Sequence, residues 1–268
     1  MRILMIGDVV GEPGLAALET LLPPLRRECS PRLTVVNGEN AAEGFGLSEA
    51  SYRRILAAGA DVVTSGNHVW EKRDFWPLLE SESQLLRPAN YPPGTPGKGL
   101  CIVETENAPP CVVINLQGRE FMGAIDCPFR AFDRLLESPE LAGLEKKIIV
   151  VDFHAESAEE KEALWFYVDG RAALAAGTHT HVQSADARVL KGGTGCISDL
   201  GMTGIVDGVL GMDKGSCLNR ARSQVLYKME CAKEGAPALQ GALAEIDGET
   251  GRALSLRAIN VRAPETSS

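Results

Sequence analysis

Ile3-Leu4-Met5-Ile6-Gly7-Asp8 sets the pattern of this chain: four apolar residues, then a glycine, then a carboxylate. A short aliphatic run of this kind reads as a buried strand. The pattern recurs at Leu33 to Val36, which runs into Asn37-Gly38-Glu39-Asn40, and at Asp61 to Thr64, which runs into Ser65-Gly66-Asn67-His68. Further runs span Leu100 to Val103, Val112 to Ile114 and Ile148 to Val151, the last ending in Asp152-Phe153-His154. A weaker strand, Ala172 to Ala176, leads into Gly177-Thr178-His179-Thr180-His181. Helical spacing fills the early gaps at Leu15 to Arg27, at Ser48 to Ala58 with Ser48 as N-cap, and at Trp70 to Leu79. Strands alternating with helices predict parallel β-α-β units in a layered α/β fold.

After His181 the runs become short and alternating, at Ala187 to Leu190, Gly195 to Ile197, Leu239 to Ile246 and Ala253 to Val261, which suits antiparallel strands closing the sheet. Leu86 to Pro110 holds six prolines among glycines, so a long helix is excluded there and a loop or flap is expected. No repeat or composition break divides the chain. The expectation is one domain over residues 1–262, with a loop-built lid at about 86–110 and a frayed tail at 263–268.

The composition of the 268 residues, 44% hydrophobic and 24% charged, excludes disordered and collagen-like chains. Only four apolar residues follow Met1-Arg2, too few for a signal peptide, and no run reaches about 18 apolar residues. A cytoplasmic protein with no membrane partner is expected. The seven cysteines are scattered and never form Cys-x-x-Cys, which suggests neither a disulfide framework nor a thiolate metal site. With 27 Lys plus Arg against 36 Asp plus Glu, the formal charge of -9 disfavours long nucleic acids unless a bound cation reverses the local field.

The polar residues fall in a telling place. Open α/β sheets bind ligands beyond the carboxyl ends of their strands, and five separate segments deliver Asp8, Glu39, Asn40, Asn67 and all four histidines there. A lone aspartate after a strand is usually a turn or cap residue, and a lone buried histidine is usually a satisfied core residue. Their conjunction at successive strand ends points to a site instead. Other motifs fail. Gly7-Asp8-Val9-Val10-Gly11 lacks the dinucleotide-loop spacing and would aim a carboxylate at a pyrophosphate. No P-loop and no His-Glu-x-x-His is present, and His154-Ala155-Glu156 is not followed by the Pro-Cys-x-x-Cys of zinc deaminases. The late His179-x-His181 also disfavours a β/α-barrel metallohydrolase, whose His-x-His usually comes early.

Read together, Gly7-Asp8, Asn37-Gly38-Glu39-Asn40, Gly66-Asn67-His68, His154 and Gly177-Thr178-His179-Thr180-His181 resemble the calcineurin-like metallophosphoesterases. The match is nearest to the YmdB-type branch, described as phosphodiesterases of 2',3'-cyclic AMP. Asp8-Val9-Val10 in place of Asp-x-His, and Glu39 in place of a bridging aspartate, are habits of that branch. The resemblance implies a four-layer α/β/β/α sandwich. It implies one metal held by Asp8, Glu39, Asn40 and His181, and a second by Glu39, Asn67, His154 and His179, with Glu39 bridging. Oxygen and imidazole donors without thiolate suit Fe, Mn or Zn, and the resemblance favours iron or manganese. The reaction it implies is attack of a metal-activated hydroxide on a small phosphodiester such as a cyclic nucleotide, with His68 as the proton donor. Position 69 is Val, not an acid, which leaves Glu71 or Asp74 to orient His68. Arg87 to Tyr91, Asp199 to Gly204 and Gly208 to Gly215 are expected to border the pocket, Arg87 being either a phosphate partner or a plain surface residue. A homo-oligomer is expected, as is common for such enzymes. The alternatives are a metal- and nucleotide-binding regulatory protein without turnover, and a phosphomonoesterase or nuclease on the same two-metal site.

Overall fold

In the computed structural model, which describes residues 1–105 and 108–263, the N-terminal apolar run is β1 (Arg2–Ile6). Side chains alternate across a strand. Leu4 and Ile6 therefore join one core cluster with Leu18, Leu22, Tyr52 and Ile55, while Ile3 and Met5 join another with Val113, Val150 and Leu174. With both faces covered, an unbroken apolar run is what the strand requires.

β2 (Asp8–Val9), α1 (Gly11–Cys29), β3 (Leu33–Asn37), α2 (Glu49–Ala58) and β4 (Val62–Thr64) follow. β1, β3 and β4 pair in parallel, as the alternation with helices predicts. Ser48 caps α2 and closes a reciprocal capping box with Ser51. The helix expected over Trp70 to Leu79 starts later: a 3-10 turn (Arg73–Phe75) leads into α3 (Trp76–Ser81). Pro77 is the reason, because a proline fits a helix's first turn and disrupts its interior.

The chain then builds a second sheet from β5 (Leu100–Val103), β6 (Cys111–Gln117), β7 (Ile148–His154), β8 (Leu174–Thr178), β9 (Arg188–Val189) and β10 (Gly195–Ile197), in the order β5-β6-β7-β8-β10-β9. Helices α4 (Pro128–Leu136), α5 (Pro139–Ala142) and α6 (Ala158–Val168) intervene. Phe132, Leu164 and Trp165 from α4 and α6 pack on Val112, Ile114 and Val151. β11 (Met202–Ile205), α7 (Lys214–Ser223), β12 (Pro237–Ile246) and β13 (Ala253–Arg262) return to the first sheet, which has seven strands. β12 pairs antiparallel with β1, β11 and β13. The result is a mixed α/β fold with two mixed sheets. The antiparallel expectation holds for β12 and β13 and for the β9–β10 pair, but β10 also runs parallel to β8, and β11 is an additional strand inside the glycine-rich stretch after Asp199.

The Leu86 to Pro110 stretch forms turns as far as Gly99 and then edge strand β5, antiparallel to β6. Residues 106 and 107, and the expected tail from residue 264 onward, lie outside the described residues. Cys29, Cys101, Cys111 and Cys196 serve as core hydrophobes. Among the described residues no helix is long and apolar enough to cross a membrane.

Candidate metal centre and active site

The strand ends converge as the sequence pattern predicts. Asp8 opens β2, Glu39 and Asn40 follow β3, Asn67 and His68 follow β4, His154 ends β7, and His179 and His181 follow β8. The tightest group surrounds His154 Nε2, which lies 2.9 Å from Glu39 Oε1, 3.1 Å from Asn67 Oδ1 and 3.0 Å from His179 Nδ1. A second group has Asn40 Nδ2 3.0 Å from His181 Nε2 and Asp8 Oδ1 4.0 Å from the same nitrogen. Asp8 joins the groups: its Oδ1 is 3.8 Å from His154 Nδ1, and its Oδ2 accepts the His179 N–H at 3.1 Å. His68 belongs to the same cluster through its backbone N–H, which donates to Glu39 Oε2 at 3.2 Å. All eight residues named from the sequence are thus brought together.

Each imidazole is held by its other nitrogen. His154 Nδ1 donates to Thr178 Oγ1 at 2.9 Å, His179 Nε2 meets Glu156 Oε2 at 3.1 Å, and His181 Nδ1 donates to the Leu210 carbonyl at 2.9 Å. These partners set the tautomers and turn His154 Nε2, His179 Nδ1 and His181 Nε2 inward as acceptors. Four acceptor atoms, Glu39 Oε1, Asn67 Oδ1, His154 Nε2 and His179 Nδ1, then crowd one small space. Asp8 Oδ1, fully buried, has no hydrogen-bond partner among the described residues. Such a set calls for a cation, and the donor chemistry fits a metal ion. Glu39, His154 and His179 present candidate ligand atoms all within 4.8 Å of one another.

The electrostatics favour positive charge at the same spot, where a proton on His154 Nε2 and a cation compete for one lone pair. Burial pushes the Asp8 carboxyl up to about 6, and burial together with His154 pulls the His179 imidazole down to about 3. Burial works against charge on Glu39 and on His154, yet their mutual attraction prevails and holds Glu39 at about 2 and His154 at about 9. The pocket stabilises positive charge beside Glu39.

Backbone geometry adapts to these contacts. Gly66 is required for close approach, since a Cβ there would stand 2.2 Å from Glu39 Oε2 and 2.3 Å from His154 Nε2. His179 and His181 take φ values of 99° and 64°, in a region that non-glycine residues rarely occupy and that concentrates at functional sites.

Other expectations resolve individually. Of the two acids that could orient His68, it is Glu71 that meets it, with Oε1 3.3 Å from Nδ1, and the Phe45 ring packs edge-on to His68 at 5.1 Å between centroids. Arg87 is not a surface residue. It is 8% exposed, and its guanidinium donates to the carbonyls of Pro88, Thr95 and Pro96. A proline-rich loop leaves carbonyls without matching N–H groups, and Arg87 supplies the donors. The Gly208 to Gly215 segment does border the site, through Leu210.

Sequence reasoning missed Asp152, Thr178 and Glu156. Asp152 accepts from Asn37 Nδ2 at 3.0 Å, from Thr178 Oγ1 at 2.8 Å and from the Thr64 hydroxyl. Its spacing of two from His154 on a strand, which puts both on one face, is the signal that could have found it.

Comparison with known proteins follows the same line. The family model described as YmdB-like protein matches residues 4–259. The chain is 44% identical over 259 residues to the 2',3'-cyclic-nucleotide 2'-phosphodiesterase of Bacillus subtilis (strain 168), covering 97% of this chain and 96% of that protein. A solved hypothetical protein from Thermus thermophilus superposes with a TM-score of 0.90 at 41% identity, covering 98% of this chain and all of the other. A solved novel phosphatase from Mycoplasma pneumoniae also gives 0.90, at 28% identity, covering 98% of this chain and 93% of that one. Matched over nearly its whole length in sequence and in fold, the chain belongs to the YmdB-like family.

Proposed function

We propose that this chain is a dinuclear metal-dependent phosphodiesterase that hydrolyses small phosphodiesters, with 2',3'-cyclic nucleotides such as 2',3'-cyclic AMP as its substrate class. The observation that carries the reading is the crowd of acceptor atoms around His154 Nε2 beside the unpartnered Asp8 Oδ1. The name of the Bacillus subtilis relative supports the substrate class.

Asp8, Glu39, Asn40 and His181 would hold one ion and Glu39, Asn67, His154 and His179 the other, with Glu39 shared. Donors of this kind suit iron or manganese and admit zinc. When bound, such ions supply Lewis acidity toward phosphate oxygens and positive charge in an acidic chain. The protein's own residues do the rest. Thr178, Glu156 and the Leu210 carbonyl keep the imidazole lone pairs turned inward. His68 follows the candidate ligand Asn67, and its side chain is 27% exposed. It would donate a proton to the ribose oxygen as the P–O bond breaks. A four-layer α/β/β/α arrangement, folded as one domain over residues 1–262, belongs to the same reading.

The test is turnover of 2',3'-cyclic AMP by metal-loaded protein, with 3',5'-cyclic AMP, a nucleoside monophosphate and His68→Ala run alongside. Turnover of the 2',3'-cyclic ester that drops about 100- to 10,000-fold in His68→Ala at unchanged metal content is the expected result. Two bound ions with no turnover of any of the three esters would overturn the reading in favour of a binding protein.

A further inference from the structure

Behind the His179-Thr180-His181 turn lies a buried ion pair that the proposed chemistry does not use. Lys161, on α6, and Asp199, between β10 and β11, are 2% and 3% exposed, with Nζ 2.8 Å from Asp199 Oδ2. Gly177 makes the room: a Cβ there would stand 2.9 Å from Lys161 Cε and 1.9 Å from the Ser198 carbonyl oxygen. A buried pair is a poor source of stability, because apolar replacements of similar volume are often neutral or better.

The contacts of Asp199 suggest what else the pair does. Its Oδ2 also accepts from Thr180 Oγ1 at 2.8 Å and from Thr180 N at 3.1 Å, and its Oδ1 accepts from Gly201 N at 2.9 Å. The Gly201 carbonyl in turn accepts the Asp8 N–H at 3.2 Å. One carboxylate therefore grips the residue between two histidines and, through Gly201, the start of the strand that carries Asp8. The histidines flanking Thr180 hold the left-handed φ values noted above, a conformation that persists only where the surroundings impose it.

We propose that Asp199, held in place by the charge of Lys161, is a positioning residue for the metal centre: it fixes the His179-Thr180-His181 turn against Asp8, so that the donors of both segments stand ready spaced. Neither Asp199 nor Lys161 contacts the donor atoms. The inference rests on the metal-site reading and deepens it.

The test compares Thr180→Val, Thr180→Ser and the double variant Lys161→Met/Asp199→Leu with wild type, full-length in each case. The readouts are Mn²⁺ affinity and stoichiometry by equilibrium dialysis, and thermal midpoints in chelator. Thr180→Val removes the hydroxyl that Asp199 grips, Thr180→Ser restores it, and the double variant replaces both charges with apolar volume. The expected result is a loss of roughly 10- to 100-fold in Mn²⁺ affinity for Thr180→Val and for the double variant, near-wild-type affinity for Thr180→Ser, and a midpoint for Thr180→Val close to wild type. Affinities equal to wild type in Thr180→Val, whatever the midpoints, would overturn the inference alone. Wild-type protein that binds none of Mn²⁺, Fe²⁺ and Zn²⁺ would overturn the metal-site reading and this inference with it. If the double variant does not fold, the Thr180 pair decides.

Discussion

His154 and Thr178 share a hydrogen bond whose direction is forced: Thr178 Oγ1 gives its single proton to Asp152 Oδ1 at 2.8 Å, so at 2.9 Å from His154 Nδ1 it can only accept. His154 is thereby held with Nε2 free. Thr178→Val keeps the shape and removes the acceptor, and it is expected to lower metal affinity about 10- to 100-fold, with Thr178→Ser close to wild type. Metal titration of the two variants checks this, and equal affinities would exclude the relay.

Gly66→Ala is the smallest change expected to abolish the site. The added methyl would occupy space 2.2 Å from Glu39 Oε2 and from His154 Cδ2, so one of these two buried side chains has to move. Elemental analysis of the purified variant is expected to show loss of metal from a chain that still folds.

Glu71 meets His68 from a half-exposed position, its side chain 52% accessible. Exposed pairs of this kind contribute at most about 1 kcal/mol, which is about fivefold in rate. Glu71→Gln is therefore expected to reduce kcat by no more than about fivefold, far less than His68→Ala. Steady-state kinetics of both variants at equal metal content make the comparison, and a Glu71→Gln loss matching that of His68→Ala would show that the carboxylate does more than orient the ring.

Arg87→Met removes the donors of three loop carbonyls at 2.7 to 3.3 Å. Buried polar groups left unpaired cost about 1–3 kcal/mol each, and partial rehydration of the loop keeps the expected total at about 2–4 kcal/mol. Urea unfolding measures it. KM for a phosphodiester is expected to stay within about twofold, since the guanidinium points into the loop; a large rise in KM with stability intact would restore a phosphate role.

Asp186 supplies a pH signature away from the donors. Burial raises its carboxyl, but the Ser184 and Ser198 hydroxyls and the Ser198 N–H outweigh that and leave it below the ordinary aspartate range. With the folded value below the unfolded one of about 3.9, the stabilisation is complete above that pH and fades as pH falls through the folded value. The stability gap between wild type and Asp186→Asn, followed in chelator, is expected to shrink below about pH 4. A gap independent of pH would rule this out.

The donors were legible in the sequence because each stands where an apolar run stops, and backbone periodicity fixes those stops. Their supports were not, because they are partners across space. Asp152 and Thr178 are 26 residues apart and Asp199 lies 19 beyond Thr180, so no local spacing links them. β11 was hidden for a similar reason: Met202-Thr203-Gly204-Ile205 reads as a glycine-rich turn until it meets β2, at the other end of the chain. Arg87 misled because an isolated arginine is normally solvated, and only the folded proline-rich loop shows how many carbonyls need a donor.

Asp8, Glu39, Asn40 and Asn67 all hang from the seven-stranded sheet, whereas His154, His179 and His181 hang from the six-stranded one. The candidate carboxylate and amide donors thus line one bank of a seam and the three candidate imidazole donors line the other, with His68 on the first bank. Neither sheet can close a mixed coordination set by itself. An ion held by both would act as a rivet: its capture has to wait until the two halves have docked, and once in place it resists their parting.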